Sequence, residues 1–423
     1  MKALRGTKDI LGKEIRLWEE IEAIARTLFA NYAYHRIKTP IIEETGLFTK
    51  SIGVATDIVQ KEMFSFKDRA GREISLRPEG TAPIVRAFIE HSIYKIESFT
   101  KLFYIGPMFR AERPQAGRQR QFHQIGAEAI GSYSPYVDAE VIAVMAHLLK
   151  SVGVKNFKIR LNSLGCRDDK KRMAKALRDS LKGQRKLFCE DCQGRYERNV
   201  FRLLDCKNEN CRRLLKKVPK TLDLLCKECL SHFKTVKELL SAQSVDFEVD
   251  PYLVRGLDYY TRTAFEVTHP GLGSKDAIGA GGRYDYLIED FGGPKVGACG
   301  FAIGFERLVM AISNEAKGIV SGESANTTVY IASLGAEAKR RGFELLGEVR
   351  NSGISAEFDY QDRSLKAQMR AADKMGAKFV AIIGEDELKK GIVTLRDMDT
   401  KSQDELKLKS FVSEIRERAK IQR

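Results

Sequence analysis

The chain has 423 residues, of which 43% are hydrophobic and 30% are charged, and its mean hydropathy is −0.31. This composition excludes a disordered polymer, and the length suffices for two or three cores at roughly 100 to 200 residues per domain. No apolar run reaches the roughly 18 residues that a membrane helix needs, and residues 1–7 lack the apolar core of a secretion signal. We therefore expect a cytoplasmic protein that does not enter a membrane.

The first 145 residues alternate between helical and strand-like hydrophobic patterns, beginning with an amphipathic helix over about 14–32. Two strands joined by a basic loop are predicted at 103–114, FYIGPMFRAERP, and 117–128, GRQRQFHQIGAE. The arginines crowded around this loop are Arg110, Arg113, Arg118 and Arg120. Guanidinium groups in such a cluster suit phosphate oxygens, although a solvated surface position is the ordinary interpretation of each arginine alone.

A predicted strand at 155–162 leads into a mainly helical segment over 166–242 whose charge is unusual. Residues 166–240 contain 21 lysines and arginines against 11 aspartates and glutamates, an excess of ten in a chain whose net charge is +15. Neutralisation of phosphates drives nucleic-acid binding, so a polyanion is the natural partner of this segment. The alternative is a solvated helical face, for which runs of charge are common.

The same segment contains six of the eight cysteines, in three close pairs: CEDC at 189–192, CKNENC at 206–211 and CKEC at 226–229. A cytosolic chain keeps its thiols reduced, and paired thiolates at this spacing suit tetrahedral zinc. Because the two short pairs match each other, the ligands predicted first are Cys189, Cys192, Cys226 and Cys229. Cys206 and Cys211 could replace one pair, and unmetallated thiols or a relic site are the remaining alternative.

The first fold is expected to resume at 246 and to finish near 312, before a linker over 317–328 that is rich in Gly, Ser, Asn and Thr. Strands are then predicted at 329–332, 356–358, 379–383 and 392–395. Helical patterns, such as the one at 362–374, separate these strands. Strands that alternate with helices predict a small α/β domain.

The hairpin at 103–128 resembles motif 2 of the class II aminoacyl-tRNA synthetases, in the form found in the histidyl-tRNA synthetases. The segments that resemble the two histidine-specific signatures of that family are LVRGLDYYTRT at 253–263 and AGGRYD at 280–285. Motif 3 is matched by GFAIGFERL at 300–308, and motif 1 by AYHRIKTP at 33–40. Each glycine-rich segment alone is a weak signal, but their order along the chain is specific.

The resemblance implies an α/β (α+β) protein with a class II antiparallel-sheet catalytic domain. That domain would comprise residues 1–165 and 243–316, interrupted by the helical, basic, Cys-rich insertion at 166–242. After the linker at 317–328, residues 329–423 would form the α/β anticodon-binding domain. Motif 1 builds a dimer interface in this class, so a homodimer is expected.

The implied reaction has two steps: histidine attacks the α-phosphate of ATP to form histidyl-adenylate and diphosphate, and the acyl group then passes to tRNA(His). Such chemistry needs positioning and cationic stabilisation rather than a protein nucleophile. By resemblance, Arg110 and Arg255 are catalytic, on the α-phosphate. The predicted ATP-binding residues are Arg110, Glu112, Arg118 and Arg307, the last on the γ-phosphate. Mg²⁺ is expected as a phosphate-bound cofactor, and zinc as a possible structural one.

The predicted histidine-binding residues are Glu79, Thr81, Gln124, Glu128, Arg255, Tyr259, Tyr260 and Tyr284. By resemblance, Glu79 and Thr81 bind the ammonium group and Gln124 contacts the carboxylate. Glu128 and Tyr260 contact the imidazole, and Tyr284 closes the pocket. A carboxylate and a phenol together can engage both ring nitrogens. Burial in a core is the ordinary alternative for Tyr260.

Two other functions remain open at this point. One is a synthetase-like, histidine-binding regulatory subunit of ATP phosphoribosyltransferase, although such paralogues commonly lose catalytic arginines and the anticodon domain. The other is a non-catalytic RNA-binding or uncharged-tRNA-sensing module. Histidine-dependent exchange between ATP and diphosphate would separate the synthetase from both.

Overall fold

The structure, a computed structural model, describes residues 1–54, 56–273, 277–314 and 328–419, and most of the predicted linker at 317–328 lies outside them. The α-helices of the described residues are α1 (Lys13–Asn31), α2 (Thr45–Ile52), α3 (Thr81–Glu90), α4 (Pro135–Ser151), α5 (Arg167–Ser180), α6 (Glu190–Arg198), α7 (Glu209–Leu215), α8 (Lys227–Ala242), α9 (Leu287–Asp290), α10 (Phe305–Asn314), α11 (Ala336–Asn351), α12 (Leu365–Lys374), α13 (Glu385–Lys390) and α14 (Phe411–Arg418). The strands are β1 (His35–Arg36), β2 (Ile42–Glu44), β3 (Ser65–Lys67), β4 (Glu73–Leu76), β5 (Thr100–Phe109), β6 (Gln121–Ile130), β7 (Lys158–Ser163), β8 (Glu248–Val249), β9 (Thr261–Thr268), β10 (Ala277–Arg283), β11 (Ala298–Gly304), β12 (Val329–Ser333), β13 (Ala356–Phe358), β14 (Phe379–Ile383), β15 (Ile392–Asp397) and β16 (Gln403–Lys407).

The chain divides into two compact units, residues 1–319 and 320–423. The first unit is built on an eight-stranded sheet of order β1-β5-β6-β11-β10-β9-β7-β8. Its six central strands run antiparallel, and only the two-residue edge strands β1 and β8 pair in parallel. This architecture confirms the predicted antiparallel catalytic sheet.

One face of this sheet is covered by α1 and α4, which supply much of the main core. The periodic apolar face of α1 buries Trp18, Ile21 and Phe29, and Phe29 stacks on Phe103 of β5 with 4.6 Å between ring centroids. α4 is buried on most of its circumference, as expected for a helix whose residues are mainly aliphatic and alanine. Burying each large apolar side chain contributes about 1.5–3 kcal/mol, so this layer holds the sheet in one fixed register.

The Cys-rich segment is helical, as predicted, and comprises α5 to α8 between β7 and β8. It has a small core of its own, in which Met173, Leu177 and Leu203 pack against buried cysteines. α8 returns the chain to the main core, where Phe233 and Val236 are buried.

The second unit is a five-stranded sheet of order β13-β12-β14-β15-β16, flanked by α11 to α14. The four predicted strands are confirmed here as β12 to β15. The polar edge strand β16, QDELK, was not predicted, because its burial pattern shows no apolar alternation. No helix in the described ranges is long and apolar enough to cross a membrane.

Candidate active site

A cleft with a cavity volume of about 200 Å³ opens on the central strands of the first unit. Ten of the predicted binding residues line it: Glu79, Thr81, Arg110, Glu112, Arg118, Gln124, Arg255, Tyr259, Tyr260 and Arg307. They come from four separated parts of the chain, which the sheet order brings together. The remaining two predicted residues, Glu128 and Tyr284, are not among the described residues that line the cleft.

One end of the cleft is acidic and is built on the start of α3. Glu79 is buried, and its carboxylate accepts hydrogen bonds from the backbone N–H groups of Thr81 at 2.7 Å and Ala82 at 2.9 Å. Burial raises the pKa of Glu79, and these two backbone bonds oppose that shift. The side chain is therefore held rigidly by the helix terminus that it caps.

Glu128 lies directly beneath this end, on β6, and is 1% exposed. Thr81 donates its hydroxyl hydrogen to Oε1 at 2.7 Å, and Tyr284 donates to Oε2 at 2.5 Å. Burial raises the pKa of Glu128 to about 8 despite both bonds. A Cβ on the neighbouring Gly300 would stand 1.7 Å from Oε2, so only glycine leaves room for this carboxylate.

Three tyrosines form the wall next to Glu128. The ring centroid of Tyr259 lies 4.7 Å from that of Tyr260 and 5.7 Å from that of Tyr284. Lys170 of α5 fixes the loop before β9 from behind, donating to the backbone carbonyls of Asp258 at 3.0 Å and Tyr260 at 3.1 Å. The Cys-rich segment thus supports the tyrosine wall directly.

The opposite end of the cleft is lined by arginines of the motif 2 hairpin and α10. Arg110 donates to the carbonyl of Pro78 at 3.0 Å, and its guanidinium lies 5.2 Å from the ring centroid of Phe122. Arg118 pairs with Glu112 at 2.9 Å. These contacts aim the guanidinium groups while leaving donors for an anionic ligand.

Arg307 is positioned by backbone on two sides, through hydrogen bonds to the carbonyls of Gly117 at 3.2 Å and Ala277. Gly117 has φ of +67°, and a Cβ there would meet the sulfur of Met310 at 2.9 Å. Glycine is therefore required for the hairpin loop to approach α10. Glu306, which sequence analysis did not identify, also lines the cleft, where it accepts from the backbone N–H of His123 at 2.9 Å.

Arg255 bridges the two ends of the cleft. One of its terminal nitrogens donates to Glu266 at 2.6 Å, whereas its buried Nε has no hydrogen-bond partner among the described residues. Oε1 of Gln124 is likewise buried and unpartnered in the described part of the chain. An unsatisfied buried donor and acceptor cost about 1–3 kcal/mol each, so both are poised for a polar ligand.

Arg283 belongs to the predicted signature AGGRYD, as Tyr284 does, but it lies in a separate buried network behind the cleft. It is 0% exposed and donates through Nε to Asp138 at 3.0 Å and through a terminal nitrogen to Asp285 at 3.0 Å. His232 of α8 contacts the same Asp138 at 3.2 Å. This buried network ties β10, α4 and α8 together behind the cleft. Asp138 and His232 were not predicted, because neither stands in a recognisable motif.

The cysteines form two clusters, which corrects the predicted zinc ligand set. One cluster comprises Cys189, Cys192, Cys206 and Cys211, with all four sulfurs within 4.8 Å of one another. Cys226 and Cys229 belong to the other cluster, with Cys166 and Asp169. The ligand set predicted first, which combined the two short motifs, is wrong. Cys226 and Cys229 stand at the start of α8, at the base of the insertion, whereas Cys206 and Cys211 flank the start of α7, near Cys189. The alternative with Cys206 and Cys211 agrees with the structure.

Comparison with known proteins gives a consistent result over nearly the whole chain. A family model described as histidyl-tRNA synthetase matches residues 6–308, and one described as anticodon binding domain matches residues 328–418. A histidine–tRNA ligase of Halothermothrix orenii is 48% identical over 415 residues, covering 98% of this chain and 99% of the relative.

Solved structures agree. The apo histidyl-tRNA synthetase of S. aureus has a TM-score of 0.83 at 36% identity, covering 98% of this chain and 99% of that one. A Bacillus halodurans structure, described as an ATP phosphoribosyltransferase regulatory subunit/histidyl-tRNA synthetase, has a TM-score of 0.64 at 24% identity, covering 88% and 96% of the two chains. The second likeness is one of fold alone.

Proposed function

Since the chain belongs to the histidyl-tRNA synthetase family and ligates histidine to tRNA with ATP, we propose which part of its cleft binds each substrate. The acidic end receives histidine, the arginine-lined end receives ATP, and Arg255 acts where the two meet. The observation that carries this assignment is the convergence of Arg110, Arg255 and Arg307 with Gln124 and Tyr260 around one cleft.

At the histidine end, we propose that Glu79 and Thr81 bind the ammonium group and that Gln124 contacts the carboxylate. A buried carboxylate suits a cationic amine, and the side-chain NH₂ group of Gln124 can donate to the substrate carboxylate. The imidazole is assigned to Tyr260, Tyr259 and, beneath them, Glu128.

The hydroxyl groups of Thr81 and Tyr284 occupy the two carboxylate oxygens of Glu128. One of these hydroxyls must move slightly for Glu128 to make the proposed contact with the imidazole. A hydroxyl that rotates away from the carboxylate leaves one carboxylate oxygen free to accept an imidazole N–H. Tyr284 then serves as the donor that holds the carboxylate in place, in addition to closing the pocket.

At the ATP end, Arg110 and Arg255 are assigned to the α-phosphate and Arg307 to the γ-phosphate, with Glu112 and Arg118 completing the site. Fixed guanidinium groups stabilise the charge that develops during attack on phosphorus, and they do so without reorganisation. Mg²⁺ fits this end, because Glu112 and Glu306 add carboxylate oxygens, the ligands that it prefers. When bound, the ion would neutralise phosphate oxygens.

We propose that the acceptor end of tRNA enters along a groove that continues from the cleft toward the insertion. Arg118, Arg255 and Arg307 line both spaces, and Arg160 and Arg195 extend the basic lining. The excess of ten positive charges over 166–240 supports this path. Residues 329–423 are assigned to the anticodon, in keeping with the matching family model.

The regulatory-subunit alternative is disfavoured. The three arginines that such a protein could dispense with all line the cleft, and the match to the anticodon-binding model extends over 328–418. The three cleft arginines also argue against a non-catalytic RNA-sensing module.

The proposed domains are a catalytic domain of residues 1–165 and 243–316, the insertion at 166–242, a linker at 317–328 and the anticodon-binding domain at 329–423.

A cytoplasmic homodimer is also proposed. Motif 1 lies at the sheet edge formed by β1, and Ile41 and Ile42 beside it are 40% and 49% exposed. Exposed aliphatic side chains next to a sheet edge suit a subunit interface.

A structural zinc ion is proposed at Cys189, Cys192, Cys206 and Cys211, which we call the tip cluster. Four sulfurs within 4.8 Å match the ligand type and number of a closed structural zinc site. This ion would stabilise the insertion and take no part in the chemistry.

Histidine-dependent exchange of labelled diphosphate into ATP, followed by charging of tRNA(His), tests the assignment. Both activities are expected in the purified chain. Histidine binding without exchange would favour the regulatory subunit instead.

A further inference from the structure

A second group of metal-ligating side chains lies at the base of the insertion, where the chain leaves and re-enters the catalytic sheet. It comprises Cys166, Asp169, Cys226 and Cys229, and one ligand atom of each lies within 4.8 Å of the others. Asp169 is 2% exposed and Cys229 is 1% exposed. We call this group the root cluster. The proposed synthesis of histidyl-tRNA gives it no role.

The root cluster has an internal repeat that follows from local structure. Cys166 is the N-cap of α5 and Asp169 is its third residue, in CRDD; Cys226 and Cys229 occupy the same two positions of α8, in CKEC. Residues three apart on a helix lie on one face, so each helix offers two ligands to the space between them. Two helix N-termini therefore converge on one point, and their partial positive charges favour thiolates and a carboxylate there.

Backbone hydrogen bonds already orient these ligands. Asp169 accepts from the N–H of Cys226 at 3.0 Å and from that of Cys166 at 3.3 Å, so the carboxylate of one helix bonds to the other. The sulfur of Cys226 accepts from the N–H of Cys229 at 3.4 Å. Arg172 pairs with Asp169 and offsets part of the negative charge. Hydrogen bonds to the ligand atoms in this way fix the orientation of ligands in a metal site.

We propose that Cys166, Asp169, Cys226 and Cys229 bind a second zinc ion, separate from the one at the tip cluster. Three thiolates and one carboxylate provide a closed tetrahedral set. With zinc bonds of about 2.0–2.3 Å, neighbouring ligand atoms lie roughly 3.5–3.8 Å apart, so the cluster needs to contract by up to about 1.3 Å. Side-chain rotation supplies a movement of that size.

The ion would clamp the two ends of the insertion to each other. Cys166 lies three residues beyond the end of β7, and α8 leads back toward β8, so the metal closes a loop of roughly 60 residues that contains the tip cluster. α5 also carries Lys170, which holds the backbone of Tyr260 in the cleft wall. The root site would thereby connect the fold of the insertion to the histidine pocket.

Zinc content of the full-length protein, purified without chelators, tests the proposal by elemental analysis and native mass spectrometry. We expect Cys226→Ser to contain one zinc fewer per chain than the parent. Cys299→Ala, which removes a buried cysteine outside both clusters, is the matched control and keeps the parental content. The difference in zinc content between the parent and Cys226→Ser can be assigned to the root cluster, because Cys189→Ser measures separately what the tip cluster binds.

Cobalt substitution keeps the test decisive if a serine variant folds poorly. In a protein whose tip cluster is blocked by Cys189→Ser, the root site is expected to give tetrahedral cobalt bands with thiolate charge transfer from three sulfurs. Adding Asp169→Cys should raise that intensity by about one third, as a fourth thiolate joins. Equal zinc content in the parent and Cys226→Ser, or no tetrahedral cobalt signal in the Cys189→Ser protein, would overturn the second site.

Discussion

Replacing Glu128 with glutamine tests the link between the buried carboxylate and the choice of amino acid. The substitution keeps the side-chain volume, but it puts an NH₂ group where Oε1 or Oε2 now accepts a hydroxyl hydrogen from Thr81 or Tyr284. At least one of those hydroxyls must turn away or accept instead. Leaving a buried polar group without its hydrogen-bond partner costs about 1–3 kcal/mol, and a factor of ten corresponds to about 1.4 kcal/mol. We therefore expect kcat/KM for histidine to fall by roughly 5- to 150-fold.

The assay is histidine-dependent exchange of diphosphate into ATP, measured with each substrate varied in turn. The KM for ATP should change little, because Glu128 lies at the histidine end of the cleft. Tyr284→Phe is the matched control: it removes one donor but leaves the carboxylate, and it should cost less. A Glu128→Gln enzyme with parental histidine kinetics would refute the reasoning and leave Glu128 a structural acid.

Four further outcomes are expected. Arg255→Ala should slow adenylation by about a hundredfold or more at unchanged melting temperature, as measured by single-turnover kinetics, because it removes a charge at the reacting phosphate; a near-parental rate would exclude the assignment. Arg283→Met should destabilise the first unit by about 3–5 kcal/mol in urea unfolding, since the buried Asp138 loses its guanidinium partner and keeps only His232. Burial raises the pKa of Asp138, but Arg283 and His232 outweigh it and lower that pKa to about 2 from 3.8. This lowered pKa contributes about 2–3 kcal/mol to the free energy of unfolding above pH 4, and the contribution should be lost as the pH falls toward 2. The stability that Asp138→Asn loses relative to the parent should therefore become smaller over that range. Cys189→Ser should lose the zinc of the tip cluster by elemental analysis, and an unchanged metal content would count against that site.

The parts of the structure that could be predicted are those where a local pattern determines the outcome. The helix predicted over 14–32 is α1, and the hairpin predicted over 103–128 is β5 and β6, because regular apolar periodicity selects each element. Resemblance then placed Arg110, Arg255 and Arg307 in one site, and the cleft contains all three.

The errors concern distances between segments, which periodicity does not encode. Matching Cys189–Cys192 with Cys226–Cys229 rested on equal spacing. The fold instead brings Cys189–Cys192 to Cys206 and Cys211, and it brings Cys226–Cys229 to Cys166 and Asp169. Asp169 was missed because an aspartate three residues after a cysteine is an ordinary helix start. Likewise, the depth of Glu128 beneath the cleft depends on Gly300, which stands on a strand about 170 residues further along the chain.

That separation between β6 and β11 has a consequence during synthesis. At about 5–20 residues per second, a ribosome completes β11 roughly 10–30 seconds after β6 has been made. Until then β6 has β5 on one side and an open edge on the other, and its Ile125, Ala127 and Ala129 lack the strand that later pairs with them. An unpaired apolar edge is a template for misassembly. The nascent chain should therefore depend on chaperones most while its Cys-rich insertion is being translated.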